Sequence, residues 1–355
     1  MAKALRVMAG PTAYAHIKQN GLSPHHISAM VGASGGPKWL SLAKLDEYIF
    51  GEYFSAREKP LHIVGSSAGA WRFACFAHPN PAKASADFAH AYQHICYHKD
   101  MTTAEITEHS MGLLDVIYPD EATSTAAATN PHIKLHVVAS RAKNLSSLNN
   151  RAAQTVGLVG AAVANGISRR WLGYFFERVV FHPEGEPGPF TQWPVLPTQT
   201  VSLTPQNIRK AITASGSIPL VLEGVPNIPD AAPGMYYDGG VTDYHFDIPF
   251  AEEGIVLYPH FYPAITPGWF DKSITWRKPR PENFDNVVML CPTDEWLASL
   301  PQGRIPDRHD FINMDDNKRI AAWGDTMARS AELVEDFQRF SAGDHSALEL
   351  VTQWR

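Results

Sequence analysis

Apolar and polar positions alternate between two periods along the chain, and the switches mark its elements. Thr12 to Asn20 has helical patterning and stops at Gly21, a residue type that ends helices. His26 to Gly32 (His-Ile-Ser-Ala-Met-Val-Gly) reads as a strand. Pro37 to Phe54 then sets Leu40, Leu42, Leu45, Tyr48 and Ile49 on one face of an expected helix. Leu61 to Gly65 is a short β-branched strand, with helix expected from Trp71 onward. Further strands are expected over His132–Ala139, Gly254–Tyr258 and Val287–Leu290. A long helix is expected from Asp316 to Phe340, where Ile320, Trp323, Met327, Val334 and Phe337 recur at helical intervals. Strands that alternate with helices predict an α/β fold with a mostly parallel central sheet, covered on both faces.

Composition narrows the class. Of the 355 residues, 45% are hydrophobic and 19% charged, which leaves ample apolar surface for a core and excludes a disordered chain. Lys and Arg number 30 against 36 Asp and Glu, a net charge of −6 without a basic block, so nucleic acid is not an expected partner. Three scattered cysteines suit reduced thiols in a cytoplasmic setting better than a disulfide framework or a Cys-rich metal site. The N-terminal residues lack a signal-peptide apolar run. The low-charge stretch from Thr155 to Ser168 falls short of the ~20 residues needed to span a bilayer. With no repeat or linker, one large domain over 1–355 is expected. Its motifs lie within 27–250, and strand and helix additions over 251–355 pack on it.

Three segments carry chemistry. Gly65-Ser66-Ser67-Ala68-Gly69 is a G-x-S-x-G sequence between a strand and a helix, the setting of a nucleophile elbow. Small neighbours let strand and helix approach closely, and the helix N-terminus favours negative charge at Ser67, the candidate nucleophile. Upstream, Ala33-Ser34-Gly35-Gly36-Pro37-Lys38 is a second strand–glycine–helix junction. Its exposed amides suit an oxyanion or a phosphate. It lacks both the phosphate-loop and the dinucleotide glycine spacing, so an oxyanion hole is the better assignment. Downstream, Tyr236-Tyr237-Asp238-Gly239-Gly240 ends an aromatic strand with a carboxylate, and Asp238 could accept the Ser67 proton.

In order and spacing together, these segments resemble the patatin-like phospholipases. The resemblance covers about Ile27 to Phe250 and implies a three-layer α/β/α sandwich and a Ser–Asp dyad without histidine. It further implies hydrolysis of lipid acyl esters through an acyl-enzyme, with no cofactor and no metal. By position it makes Ser67 the nucleophile, Asp238 the base, Gly35, Gly36 and Lys38 the oxyanion hole, and Gly65, Gly69, Gly239 and Gly240 the flanking motif glycines. Ala214 to Pro219 is similar to the family's small-residue segment ahead of the catalytic Asp. The chain departs from the pattern at Ser34 and Trp39, where the family has glycines, and at Asp247-Ile-Pro249, which follows Asp-Gly-Gly a few residues late.

Other assignments compete. Gly343-Asp344-His345-Ser346 would suit an α/β-hydrolase triad, with Asp294 or Asp307 orienting His345. His90, His94 and His98 recur every four residues, and Asp87 could join two of them on a metal. Three successive turns nevertheless span about 12 Å, too far for all three to share one ion. Within 157–181, Arg169-Arg170-Trp171-Leu172-Gly173-Tyr174-Phe175-Phe176 suits a lid or a peripheral membrane contact, or else a helix pair packed on the sheet. A non-catalytic lipid-binding module is the remaining alternative.

Overall fold

The computed structural model describes residues 3–98, 100–147, 151–185, 188–250 and 253–354. Eleven strands are present among them: β1 (Leu5–Ala9), β2 (Ile27–Gly32), β3 (Leu61–Ser66), β4 (Ile133–Ala142), β5 (Phe176–Pro183), β6 (Thr198–Leu203), β7 (Val225–Pro226), β8 (Met235–Asp238), β9 (Ile255–Pro259), β10 (Val287–Pro292) and β11 (Leu348–Leu350). The main sheet runs β11-β1-β10-β9-β2-β3-β4-β5-β6, with β8 on β4 and β7 on β8. Its five central strands, β10, β9, β2, β3 and β4, are parallel. At the flanks, β1 runs antiparallel to β10 and β5 antiparallel to β4.

The expected α/β class with a mostly parallel sheet is therefore observed. β9 and β10 are buried along their whole length, and β2 and β3 at all but one position, because helices cover both faces. From β2 the chain proceeds to β3 and β4 on one side and returns later to β9 and β10 on the other. That reversal falls between β2 and β9, and open α/β sheets bind ligands at the carboxyl ends of the strands at such a switch.

Packing changed several expected elements. Pro37–Phe54 is not a single α-helix but a 3-10 turn (Gly36–Leu42), an α-helix (Ala43–Tyr48) and a π-helical turn (Ile49–Tyr53) in tandem. Residues 39–43 are all buried, so close packing on several sides, rather than one apolar face, sets the winding. The expected 316–340 helix divides at Ser330 into Asp316–Arg329 and Ala331–Ser341. There the Ser330 hydroxyl donates to the Met327 carbonyl and accepts the Lys44 amide, competing with the helical ladder. The end of the 157–181 segment is not surface: Phe176–Pro183 is strand β5, with Phe176 and Phe181 in the core.

Candidate active site

The register along β4 explains how residues 171 apart in sequence meet. β3 pairs with β4 as far as Ser66 opposite Val138. β8 then occupies the same edge from the opposite direction and ends at Asp238 opposite Ala139. The two strands run head to head, and their junction brings Ser67 to Asp238. Ser67 Oγ donates to Asp238 Oδ2 at 2.6 Å.

Local sequence dictates the turn at Ser67. Its backbone has φ 51 and ψ −127, a strained conformation for a residue with a side chain, and the helix Ala68–Ala77 begins at the next residue. The strain persists because the surroundings fix it. A Cβ on Gly69 would fall on the Gly32 carbonyl, and one on Gly65 would lie 2.6 Å from the Ala70 nitrogen. Ser215 Oγ accepts the Ser67 amide at 2.9 Å while donating to the Val138 carbonyl at 2.6 Å.

Asp238 is held as firmly. Its Oδ1 accepts the Gly240 amide at 2.6 Å, and its own amide donates to Ser217 O at 2.9 Å. Gly239 is required because a Cβ there would strike the Val138 carbonyl. Beyond it, Arg178 and Asp243 form a buried two-bond pair at 2.6 and 2.8 Å. Arg169 donates to the Thr242 carbonyl and, at 2.9 Å, to Asp271. Two arginines thus clamp the loop that follows the carboxylate. Burial raises Asp238 from its ordinary 3.8 to about 6, against the opposing pull of its bonds from Ser67 and Gly240 and the charges of Lys272 and Arg308. A carboxylate poised there can exchange a proton near neutrality.

The glycine loop closes the third side. The Ser34 amide donates to Tyr244 O at 2.9 Å. Its hydroxyl meets Ser66 Oγ at 2.7 Å, and Ser66 in turn donates to Asp243 O at 2.5 Å. The serine that departs from the family pattern therefore ties loop, elbow strand and Asp loop together. Gly35 is excluded from carrying a Cβ by the Phe261 ring, whereas Gly36, at φ +56, faces open space. The amides of Gly35 and Gly36 donate to no partner among the described residues, which leaves them free for an oxyanion. Trp39, the other departure, is fully buried and stacks on Phe88 at 4.8 Å. It therefore anchors the segment in the core.

The Lys38 ammonium forms an ion pair with Asp307, which braces the loop. Around it lies a cationic mouth that patterning alone did not reveal. The Lys272 ammonium sits 4.0 Å over the Tyr244 ring. Burial, Arg308 and Lys38 together lower it to about 8. Lys272, Arg308, Arg178 and Asp243 carry no motif, and only the assembled loops bring them together. Ser66 and Ser215 had a signal, lying inside the Gly65–Gly69 and Ala214–Pro219 segments.

The competing residues lie elsewhere. His345 directly precedes β11, five strand spacings from β3, about 24 Å across the sheet. Asp294 is exposed near Arg6 at 3.9 Å, and Asp307 is paired with Lys38. The helix Pro81–His94 ends before His98, because Ile95 leaves it to become buried. His94 Nδ1 instead meets the His90 carbonyl, and Asp87 pairs with Lys83. Among the described residues no three His, Cys, Asp or Glu side chains could hold one metal ion. Asp247 accepts from Asn283 Nδ2 at 2.8 Å and anchors its loop. No helix among the described residues is long and apolar enough to cross a membrane. No protein-family model matches the chain, and no curated protein matches it either.

Proposed function

We propose that the chain is a serine hydrolase of carboxylic acyl esters, of the patatin-like kind, working through a Ser67–Asp238 dyad. The observation that carries this is the 2.6 Å bond from Ser67 Oγ to a buried carboxylate raised to about 6, at a strained turn on a helix N-terminus. In the first step Asp238 takes the Oγ proton as Oγ bonds to the acyl carbon. The carbonyl electrons move to oxygen, where the Gly35 and Gly36 amides receive the charge. Collapse of that intermediate expels the alcohol, which leaves with the proton from Asp238. Water then gives its proton to Asp238 and attacks the acyl-enzyme, and the acid is released as Ser67 regains its proton.

The mouth supports an anionic substrate. Lys38 is neutralised by Asp307, which leaves Lys272 and Arg308 as cations near the dyad. A lipid acyl ester with a phosphate group, as in glycerophospholipids, fits both the charge and the ester chemistry. The test is labelling by a fluorophosphonate, together with turnover of soluble and lipid esters. Ser67→Ala should abolish labelling, and Ser67→Ala and Asp238→Asn should each lower turnover at least about 10³-fold, while His345→Ala retains it. Turnover that survives in Ser67→Ala, or is lost in His345→Ala, would overturn the dyad.

A further inference from the structure

The helix Arg151–Ile167 has two unlike faces, and only one is explained by the fold. Its inner face buries Leu158 and Ala161 in a small apolar cluster with Tyr237 and Val241, and Gln154 donates to the Tyr237 hydroxyl at 2.6 Å. The residues beside Asp238 therefore form the floor of this helix. Its outer face is also apolar. Val156, Val159, Val163 and Ile167 are 60, 60, 62 and 65% exposed. Steps of three, four and four residues put them on one stripe about 17 Å long. No charged residue occurs between Arg151 and Arg169.

Water is a poor neighbour for such a stripe, and its rim indicates what replaces it. At the C-terminal end Trp171 and Tyr174 are 46 and 68% exposed, and both have rings that suit the boundary between apolar and polar media. Arg277 donates to Asn165 O at 2.7 Å, which fastens the neighbouring loop to the same end of the helix. That loop exposes Trp276 and, from Lys272 to Arg280, carries four cations, of which Arg277 is paired with the buried Asp271. Arg170 is exposed as well. An aliphatic stripe ending in aromatic and basic side chains is complementary to an anionic lipid surface, with the aliphatics among acyl chains and the cations at phosphates.

We propose that this outer face, from Val156 to Tyr174 with the 272–280 loop at its end, docks the protein on an anionic bilayer. The helix would lie in the plane of the interface and bring lipid to the cationic mouth beside Asp238. Docking does not depend on hydrolysis and is expected of Ser67→Ala as of the unaltered chain, so the two proposals fail separately.

Flotation with vesicles of mixed phosphatidylcholine and phosphatidylglycerol tests it, with neutral phosphatidylcholine vesicles alongside. The full chain should float with the anionic vesicles at low salt and lose most of that binding on neutral ones. Val159→Asp with Val163→Asp should weaken partitioning at least about tenfold, and Arg170→Glu with Lys278→Glu should do the same. Soluble-ester turnover and melting temperature should stay unchanged in both variants. No flotation of the folded wild type, or flotation undiminished by the paired Asp substitutions, would overturn the proposal. A concentration-dependent dimer that the Asp substitutions disperse, without vesicle binding, would assign the face to a second copy of the chain instead.

Discussion

The junction of β3 with β8 and the helix Arg151–Ile167 are both rich in small and apolar residues, yet the structure uses them oppositely. At the junction nearly every atom has a close neighbour. Gly65, Gly69 and Gly239 are positions where a methyl group has no room, and at Gly32 one would be tight. On the helix, one apolar face is packed and the other stands open to at least 60% at four aliphatic positions. Apolar composition therefore does not by itself say what is core. Contact density tells the two regions apart, and it predicts unlike responses to the same kind of substitution.

The largest effect should come from the junction. Gly69→Ala puts a methyl group on the Gly32 carbonyl and is expected to cost about 3 kcal/mol or more in a denaturant titration, or to prevent folding. A variant with unaltered stability would mean that strand and helix can part there freely. Of similar size on the helix is the inner-face change Leu158→Ala, expected to cost about 2–4 kcal/mol because it empties a packed position. Its outer neighbour Val159→Ala should stay within about 0.5 kcal/mol. Equal costs for this pair would break the two-faced description of the helix.

Asp238 supplies a pH-dependent version of the contrast. Burial raises it from 3.8 to about 6, so the folded state holds a proton that the unfolded chain releases earlier. Its favourable contribution is complete below about pH 4 and is lost as pH rises through about 6. The loss amounts to about 3 kcal/mol across that window. In the proposed mechanism the ionised carboxylate is the base, so esterase activity should rise over the same interval. Asp238→Asn should therefore melt higher than wild type at pH 8 and close to it at pH 4, while inactive at both. Identical pH dependence of melting in the two proteins would show that the carboxylate is not desolvated. The smallest expected change is in Lys272→Met. This should raise KM for an anionic ester severalfold and leave kcat for a neutral one nearly unaltered. Equal effects on both esters would remove Lys272 from substrate selection.

Much of the site was legible because its demands are local. A strand that must turn sharply into a helix needs Gly65 and Gly69 around Ser67. The carboxylate needs Gly239 and Gly240 so that its loop can fold back under it. Such sharp turns leave a motif, even where the atoms that exclude a side chain come from Gly32 and Val138. The central strands and several helices were legible for a related reason: burial on both faces writes itself into apolar runs. By contrast, the ion pair of Lys38 was not legible. Its partner Asp307 lies 269 residues away and leaves no trace near it. The same holds for Ser330, whose bond to the Lys44 amide helps divide a helix that periodicity alone makes continuous.

By itself the sequence determined the class of fold, the candidate nucleophile and carboxylate, and the glycines beside them. Apolar runs and the small residues of a sharp strand-to-helix turn depend on backbone conformation, which neighbouring residues decide. Tertiary structure alone decided that Ser67 Oγ and Asp238 Oδ2 are 2.6 Å apart, that Asp238 is raised by burial to about 6, and that the charges of Lys272 and Arg308 act on it. It also decided which side of the Arg151–Ile167 helix is left uncovered. Desolvation and long-range charge depend on everything packed around a group, and only the pairing of β3 and β8 on one edge of β4 brings those surroundings into being.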